Sequence, residues 1–228
     1  NFFSGSGNVA VGNGALQANT ANDNVAVGLL ALAANTSGTT NTAVGRQALA
    51  SNTISNANTA VGFQALFLST GSNNTAVGAN SLPANTSGTN NVAVGLTAMN
   101  LSQTGSNNTA VGTAALAAIT TVSNSVAVGT SALAAATGGS NTAIGFQAGA
   151  NVTTGGSNIF IGSNADASAV GISNELSIGS SGQFVATNGA SATYFPTATA
   201  GAIVPGNCQG FIRIRLNGSF VKIPVYGN

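Results

Sequence analysis

Few side chains of this chain could do chemistry. Its acids are Asp23, Asp166 and Glu175, its bases are Arg46, Arg213, Arg215 and Lys222, its one thiol is Cys208, and it has no histidine. Without histidine, neither a Ser/His/Asp triad nor a His-based metal site can be assembled. Asp166 and Glu175 are the two acids that neighbouring coils of a repeat could bring together. A working acid–base pair needs two carboxylates held at a fixed separation, and three scattered acids read more simply as structural or solvated. No Gly-Lys-Ser/Thr closes a glycine-rich loop, and calcium-binding Gly-Gly-x-Gly-x-Asp units are missing. A lone cysteine sets no disulfide framework. Its plain reading is a buried free thiol, its sharper one an intersubunit bond. The chain is expected to be no enzyme and to need no cofactor or metal.

The glycines, useless as a phosphate cradle, have a different order. Gly12, Gly28, Gly45, Gly62, Gly78, Gly95, Gly112, Gly129, Gly145, Gly162 and Gly179 follow one another at intervals of 16 or 17 residues. A short, nearly constant period over most of a chain is the mark of a solenoid. Each glycine closes a three-residue cassette. Val or Ile always precedes it, as in Val11, Val44 and Val128, and two residues earlier stands Val, Thr, Ile or Leu. Between them lies Ala, replaced only by Phe160 and Ser177 in the last two copies. β-Branched residues in alternation suit a short strand with one face toward a core, which predicts the Val row inward and the small Ala row as the outer surface. Glycine after each strand permits a positive φ or a close approach of backbones.

Two further rows complete the coil. Four residues after the glycine comes an apolar anchor, Leu16, Leu32, Leu49, Leu66, Leu82, Met99, Leu116 or Leu133. The Ala-rich pieces around it, such as Leu29–Ala34, predict a second short strand. Four residues before the glycine stands Asn, including Asn41, Asn58 and Asn108, with Ser125 and Glu175 as exceptions. An Asn at one corner of every coil predicts a hydrogen-bonded ladder. The fold class is therefore all-β: a parallel β-roll or β-solenoid of about eleven coils over residues 1–179, then a C-terminal β module over 180–228 that caps or docks.

The phrase Asn124–Gly129, followed by Thr-Ser-Ala-Leu, resembles the head repeat of YadA-type trimeric autotransporter adhesins. The Asn58–Leu66 cassette, Asn-Thr-Ala-Val-Gly-Phe-Gln-Ala-Leu, is similar to repeats in phage tail-fibre-like proteins. The resemblance covers residues 8–179, with eleven motifs in register. It implies a left-handed β-roll, three chains side by side, and display outside a cell or on a virion for attachment. The period here is longer than the usual family coil. No coiled-coil stalk or membrane anchor accompanies it, so an intact autotransporter is not expected from this chain alone.

After Gly179 the regularity fades and aromatic residues, prolines and charge gather. Phe211–Leu216 and Ser219–Tyr226 flank Asn217-Gly218, a strong hairpin signal. A two-residue turn sets Ile214 opposite Val221 and Ile212 opposite Ile223. The other face carries Phe211, Arg213 and Arg215 against Phe220, Lys222 and Pro224. The hairpin reads as a cap on the last coil or as a docking tip, with Tyr194 and Tyr226 as candidate glycan contacts.

Charged residues make up 3% of the chain and the net charge is +1, which leaves no basis for nucleic-acid binding. No apolar run approaches the ~20 residues of a membrane span. A coil with three apolar anchors buries little by itself, so self-association is expected, as a homotrimer or a head-to-tail filament. The leading function is an extracellular structural fibre or adhesin-like rod for attachment or assembly. The alternatives are a subunit of an open filament and a glycan- or ice-binding solenoid. The Thr row at Thr42, Thr59, Thr75, Thr109 and Thr142 invites ice binding, while Val92 and Val126 interrupt it.

Overall fold

The computed structural model describes residues 5–179 and, as backbone, the strands at 185–187, 193–194, 208–216 and 219–226. A strand forms at every cassette. These are β1 (Val9–Val11), β2 (Val25–Val27), β3 (Thr42–Val44), β4 (Thr59–Val61), β5 (Thr75–Val77) and β6 (Val92–Val94). They are followed by β7 (Thr109–Val111), β8 (Val126–Val128), β9 (Thr142–Ile144), β10 (Ile159–Ile161) and β11 (Glu175–Ile178). The eleven pair in parallel and in chain order. Each cassette residue faces its counterpart in the next coil: Ala43 lies opposite Ala60, and Val44 opposite Val61. This is the predicted β-solenoid. Among the described residues there is no helix.

The inside of the roll corrects one sequence expectation. Ala26, Ala43, Ala60, Ala76, Ala93, Ala110, Ala127 and Ala143 are fully buried, together with the Leu row. Val11 is 56% exposed and Val128 37% exposed, so the β-branched rows point outward. Geometry explains the reversal. A roll of 16 or 17 residues per turn has an interior one side chain deep, and the Leu row already fills it from the far side. Only a methyl group fits across from each Leu, and close packing penalises anything larger. Where the strand carries Phe160 instead of Ala, the anchor position of the preceding coil has shrunk to Gly149. A Cβ on Gly149 would lie 2.7 Å from the Phe160 ring. The pair exchanges volume between two rows and keeps the interior full.

The return leg is not the expected second strand. It is a turn segment in which Leu30 (φ 58°) and Leu32 (φ 49°) adopt left-handed backbone, and the pattern recurs from coil to coil. Hydrogen bonds between coils persist nonetheless: the Leu32 N–H donates to the Ala48 carbonyl at 3.0 Å, and Ala34 to Ala50 at 3.1 Å. The left-handed region crowds a β-branched side chain most, which accounts for Leu or Met at this anchor and never Val or Ile. Pro83 occupies a return-leg position that contributes its carbonyl, accepting from Leu68 N–H at 3.0 Å, so its missing N–H is not needed there.

Beyond the last coil, β12 (Val185–Thr187) and β13 (Thr193–Tyr194) extend the same sheet antiparallel. The compact unit containing the solenoid accordingly runs through Pro196, and Thr197–Asn228 forms a second unit. That unit contains a hairpin of β14 (Cys208–Leu216) and β15 (Ser219–Tyr226). Its register is the predicted one: Ile212 opposite Ile223, Ile214 opposite Val221 and Arg213 opposite Lys222, with an irregularity between Cys208 and Gly210.

Candidate assembly surface

Two side-chain ladders and one glycine row hold the strands in register. The Asn predicted at each corner is buried and reaches forward to the next coil. Asn41 Oδ1 accepts the Asn58 N–H at 3.0 Å, and Asn91 Oδ1 accepts that of Asn108 at 3.0 Å. The amides also donate, Asn58 excepted: Asn108 Nδ2 bonds the Val122 carbonyl at 2.7 Å. Ser125 keeps the ladder running, because its Oγ accepts from Asn141 N–H at 3.3 Å.

The second ladder escaped the sequence reading. Asn19, Asn35, Asn52, Ser69, Asn85 and Ser102 form a buried row seven residues after each glycine, continued by Ile119 and Val152. Asn35 Nδ2 donates to Asn19 Oδ1 at 2.6 Å, and Asn52 Nδ2 to Asn35 Oδ1 at 2.9 Å. The spacing was visible, but the row changes from polar to apolar halfway along, and that disguises it.

The glycines Gly12, Gly45 and Gly129 sit at φ 126°, 133° and 135°. Gly78 shows why no side chain is admitted there: its φ is 129°, and a Cβ would stand 2.6 Å from the Gly95 carbonyl oxygen. Successive glycines therefore stack backbone on backbone. Leu16, Leu49 and Leu133 are wholly buried opposite the strands.

What this scaffold displays is the outer face of the sheet. The first and third residues of β1 to β10, and Leu176 and Ile178 of β11, project from it, as Val, Thr, Ile or Leu followed by Val or Ile. Val9, Val77, Val111, Ile144, Ile161 and Ile178 are exposed, and Val44 and Thr42 are half-buried. The residue after each glycine widens the face with Leu29, Phe63, Leu96 and Phe146, all exposed. Arg46 lies in this flanking row, its guanidinium carbon 5.8 Å from the Phe63 ring centroid, a cation–π distance. No acid stands on the face.

Asp23 is exposed in the turn before β2, and the other two acids are engaged in the last coils. Asp166 Oδ1 accepts the N–H groups of Asn151 at 3.0 Å and Ala167 at 2.8 Å. Glu175 is buried in the Asn-ladder position and accepts the Ser168 N–H at 3.0 Å and hydroxyl at 2.7 Å. Each of these two carboxylates thus closes backbone of the last coils. Among the described residues, no three His, Cys, Asp or Glu side chains come together. The contacts expected at Tyr194, Phe211, Arg213, Arg215, Phe220, Lys222 and Tyr226 concern side chains outside the described residues, as does the Asn217-Gly218 turn. Comparison with protein-family models, with characterised proteins and with solved structures returned no match.

Proposed function

We propose that this protein is a non-catalytic structural rod, displayed outside a cell or on a virion, that mediates attachment or assembly. The observation that carries the reading is the unbroken parallel stack from β1 to β11. Ten steps of ~4.8 Å give an axial length of about 48 Å for that unit. Backbone bonds on both legs, the Asn ladder and the stacked glycines tie each coil to the next, so the unit resists bending and holds apart what lies at its ends. The resemblance of the cassettes to adhesin heads and fibre repeats supports the same use.

Small-angle scattering and negative-stain images of the full chain test the proposal. A solenoid that appears as a straight, uniform rod of the stated length agrees with it. A particle with no elongated body would remove its basis. The filament alternative meets an obstacle at one end: β12 pairs with β11 in antiparallel fashion, with Leu176 opposite Ala186. A further coil cannot add to β11 in parallel without displacing that strand.

A further inference from the structure

We infer that the interior of the roll binds one water molecule between Asn85 and Ser102, in the role that an Asn amide plays elsewhere in the second ladder. The other members of that row define the role. Asn52 Nδ2 donates one N–H back to Asn35 Oδ1 at 2.9 Å and the other to the Ser55 carbonyl at 3.1 Å. Asn35 Nδ2 does the same with Asn19 Oδ1 at 2.6 Å and the Gly38 carbonyl at 2.8 Å. Asn85 Nδ2 donates to Ser69 Oγ at 3.1 Å and the Gly88 carbonyl at 3.0 Å. Ser102 stands next in the row and has no amide to offer. Asn85 Oδ1 and Ser102 Oγ belong to fully buried residues, and neither atom has a hydrogen-bond partner among the described residues. Buried polar atoms of this kind call for a partner.

The two acceptors that an amide at Ser102 would serve lie side by side. A Cβ on Gly88 would stand 2.5 Å from Asn85 Oδ1 and 2.2 Å from the Gly105 carbonyl oxygen. At the matching corner, a Cβ on Gly38 would stand 2.5 Å from Asn35 Oδ1 and 2.4 Å from the Ser55 carbonyl oxygen. Asn52 Nδ2, which bridges that pair, is 3.0 Å from the same point. The Gly105 carbonyl accepts Asn91 Nδ2 at 2.8 Å and can take a second donor, as the Gly38 carbonyl does from Asn24 and Asn35. A water placed like Asn52 Nδ2 donates to Asn85 Oδ1 and to the Gly105 carbonyl, and accepts the Ser102 hydroxyl. Three bonds are the usual complement of a buried water. Size agrees: Ser in place of Asn withdraws a carbon and an NH2 group, close to the ~30 Å³ one water takes in the liquid. The coils do not draw together to compensate, because Gln103, next in the chain, is fixed on both sides. Its carbonyl accepts the Thr86 N–H at 2.8 Å, and its N–H donates to the Thr120 carbonyl at 2.9 Å. Ser69, the other serine of the row, makes no such site. There Ser55 stands in place of Gly88, with its hydroxyl turned to the Thr70 carbonyl, and Ser69 Oγ donates to the Gly71 carbonyl at 3.4 Å.

The site does not depend on what the rod is used for. Water-selective NOE spectra of the full chain locate the molecule, and oxygen-17 relaxation dispersion counts long-lived waters. Wild type should show a long-lived water at the Gly88 Hα protons. Ser102→Asn should lose that signal, count one water fewer per chain and unfold at a higher urea concentration, since its amide makes both bonds directly. Because the larger side chain could fail to fold, Ser102→Ala is measured beside it; that variant keeps the backbone and removes only the hydroxyl. It should shorten the residence time about two- to tenfold, the loss of one bond in three. Ser69→Asn should leave the Gly88 signal unchanged. A wild-type chain with no long-lived water at Gly88 overturns the inference. A signal that persists in Ser102→Asn, or a residence time unchanged in Ser102→Ala, puts the water elsewhere and overturns it as well.

Discussion

Asn41 holds the coil that follows it by two bonds from one amide. Its Oδ1 accepts the Asn58 N–H at 3.0 Å, and its Nδ2 donates to the Ser55 carbonyl at 2.8 Å. Asn58 then accepts from Asn74 at 2.9 Å, so the corner is passed from coil to coil. A side chain of this length, carrying donor and acceptor on one planar group, satisfies two buried backbone groups of the neighbouring coil at once. Those groups have no access to water, and that makes the ladder costly to interrupt.

Asn41→Ala should therefore destabilise the protein by about 1–3 kcal/mol, because the buried Asn58 N–H loses its acceptor while the Ser55 carbonyl keeps its bond from Asn52 Nδ2 at 3.1 Å. Asn41→Ser should cost less, because Ser125 already serves as an acceptor in the same row. Urea unfolding of the two variants gives the comparison. An alanine variant no weaker than the serine one would show that the ladder contributes nothing.

Ser69→Asn is expected to stabilise. Asn52 Oδ1 is buried without a partner, and Ser69 is the next member of its row. Asn at that place would donate to Asn52 while still accepting from Asn85, which now bonds the Ser69 hydroxyl at 3.1 Å. One restored bond is worth about 0.5–1.5 kcal/mol, readable as a higher urea midpoint. A lower midpoint would mean that the shorter coil at Ser69 has no room for the amide.

The period, the strands, the Asn ladder and the hairpin register were all legible, because each rests on a local rule: fixed spacing, β-branching, corner chemistry, Asn-Gly between apolar runs. Which face points inward was not. Hydrophobicity favours Val44 over Ala43 as core, and that inference assumes an interior with room for both. Tolerance carried the better signal. The middle position stays Ala through nine cassettes while the residue before it varies between Val and Thr, and it is the crowded site that refuses variation in size. Phe160 looked like an irregularity until Gly149 was found beside it. Left-handed Leu32 could not be foreseen either, since a bulky residue there runs against local preference and is held by the coils above and below.

The inside–outside assignment has a direct check. Leu49→Ala removes a fully buried side chain and should cost about 2–5 kcal/mol. Val44→Ala trims the outer face and should change the unfolding free energy of a single copy by less than about 1 kcal/mol. Thermal melts at dilutions low enough to hold single copies decide between them. Equal losses would return the Val row to the core.

Gly78→Ala should be poorly tolerated for two separable reasons. Alanine would occupy φ 129°, a region L-residues avoid, and its Cβ would press on the Gly95 carbonyl. Strain alone costs about 1–3 kcal/mol, and the clash adds to it. Loss of strand signal in circular dichroism, or a melting point lowered by several degrees, is the expected result. An unchanged melt would show that the stacked glycines have slack.

Glu175 supplies the last test, at the end of the stack. It stands where other coils carry Asn, its N–H bonded to Asn158 Oδ1 at 2.8 Å and its carboxylate taking the Ser168 N–H and hydroxyl. The longer side chain reaches back into the loop of the last coil and ties it down where regular coils give way to antiparallel pairing. Glu175→Ala leaves the Ser168 N–H without its acceptor, a loss of about 1–3 kcal/mol. A solenoid transmits such a loss only to neighbouring coils, because each repeat touches the next and no other. Hydrogen exchange should therefore quicken across residues 158–179 and stay unchanged around Asn41 and Asn58. Uniform acceleration along the whole stack would mean that the coils melt as one unit. Glu175 would then act as a cap for all of them.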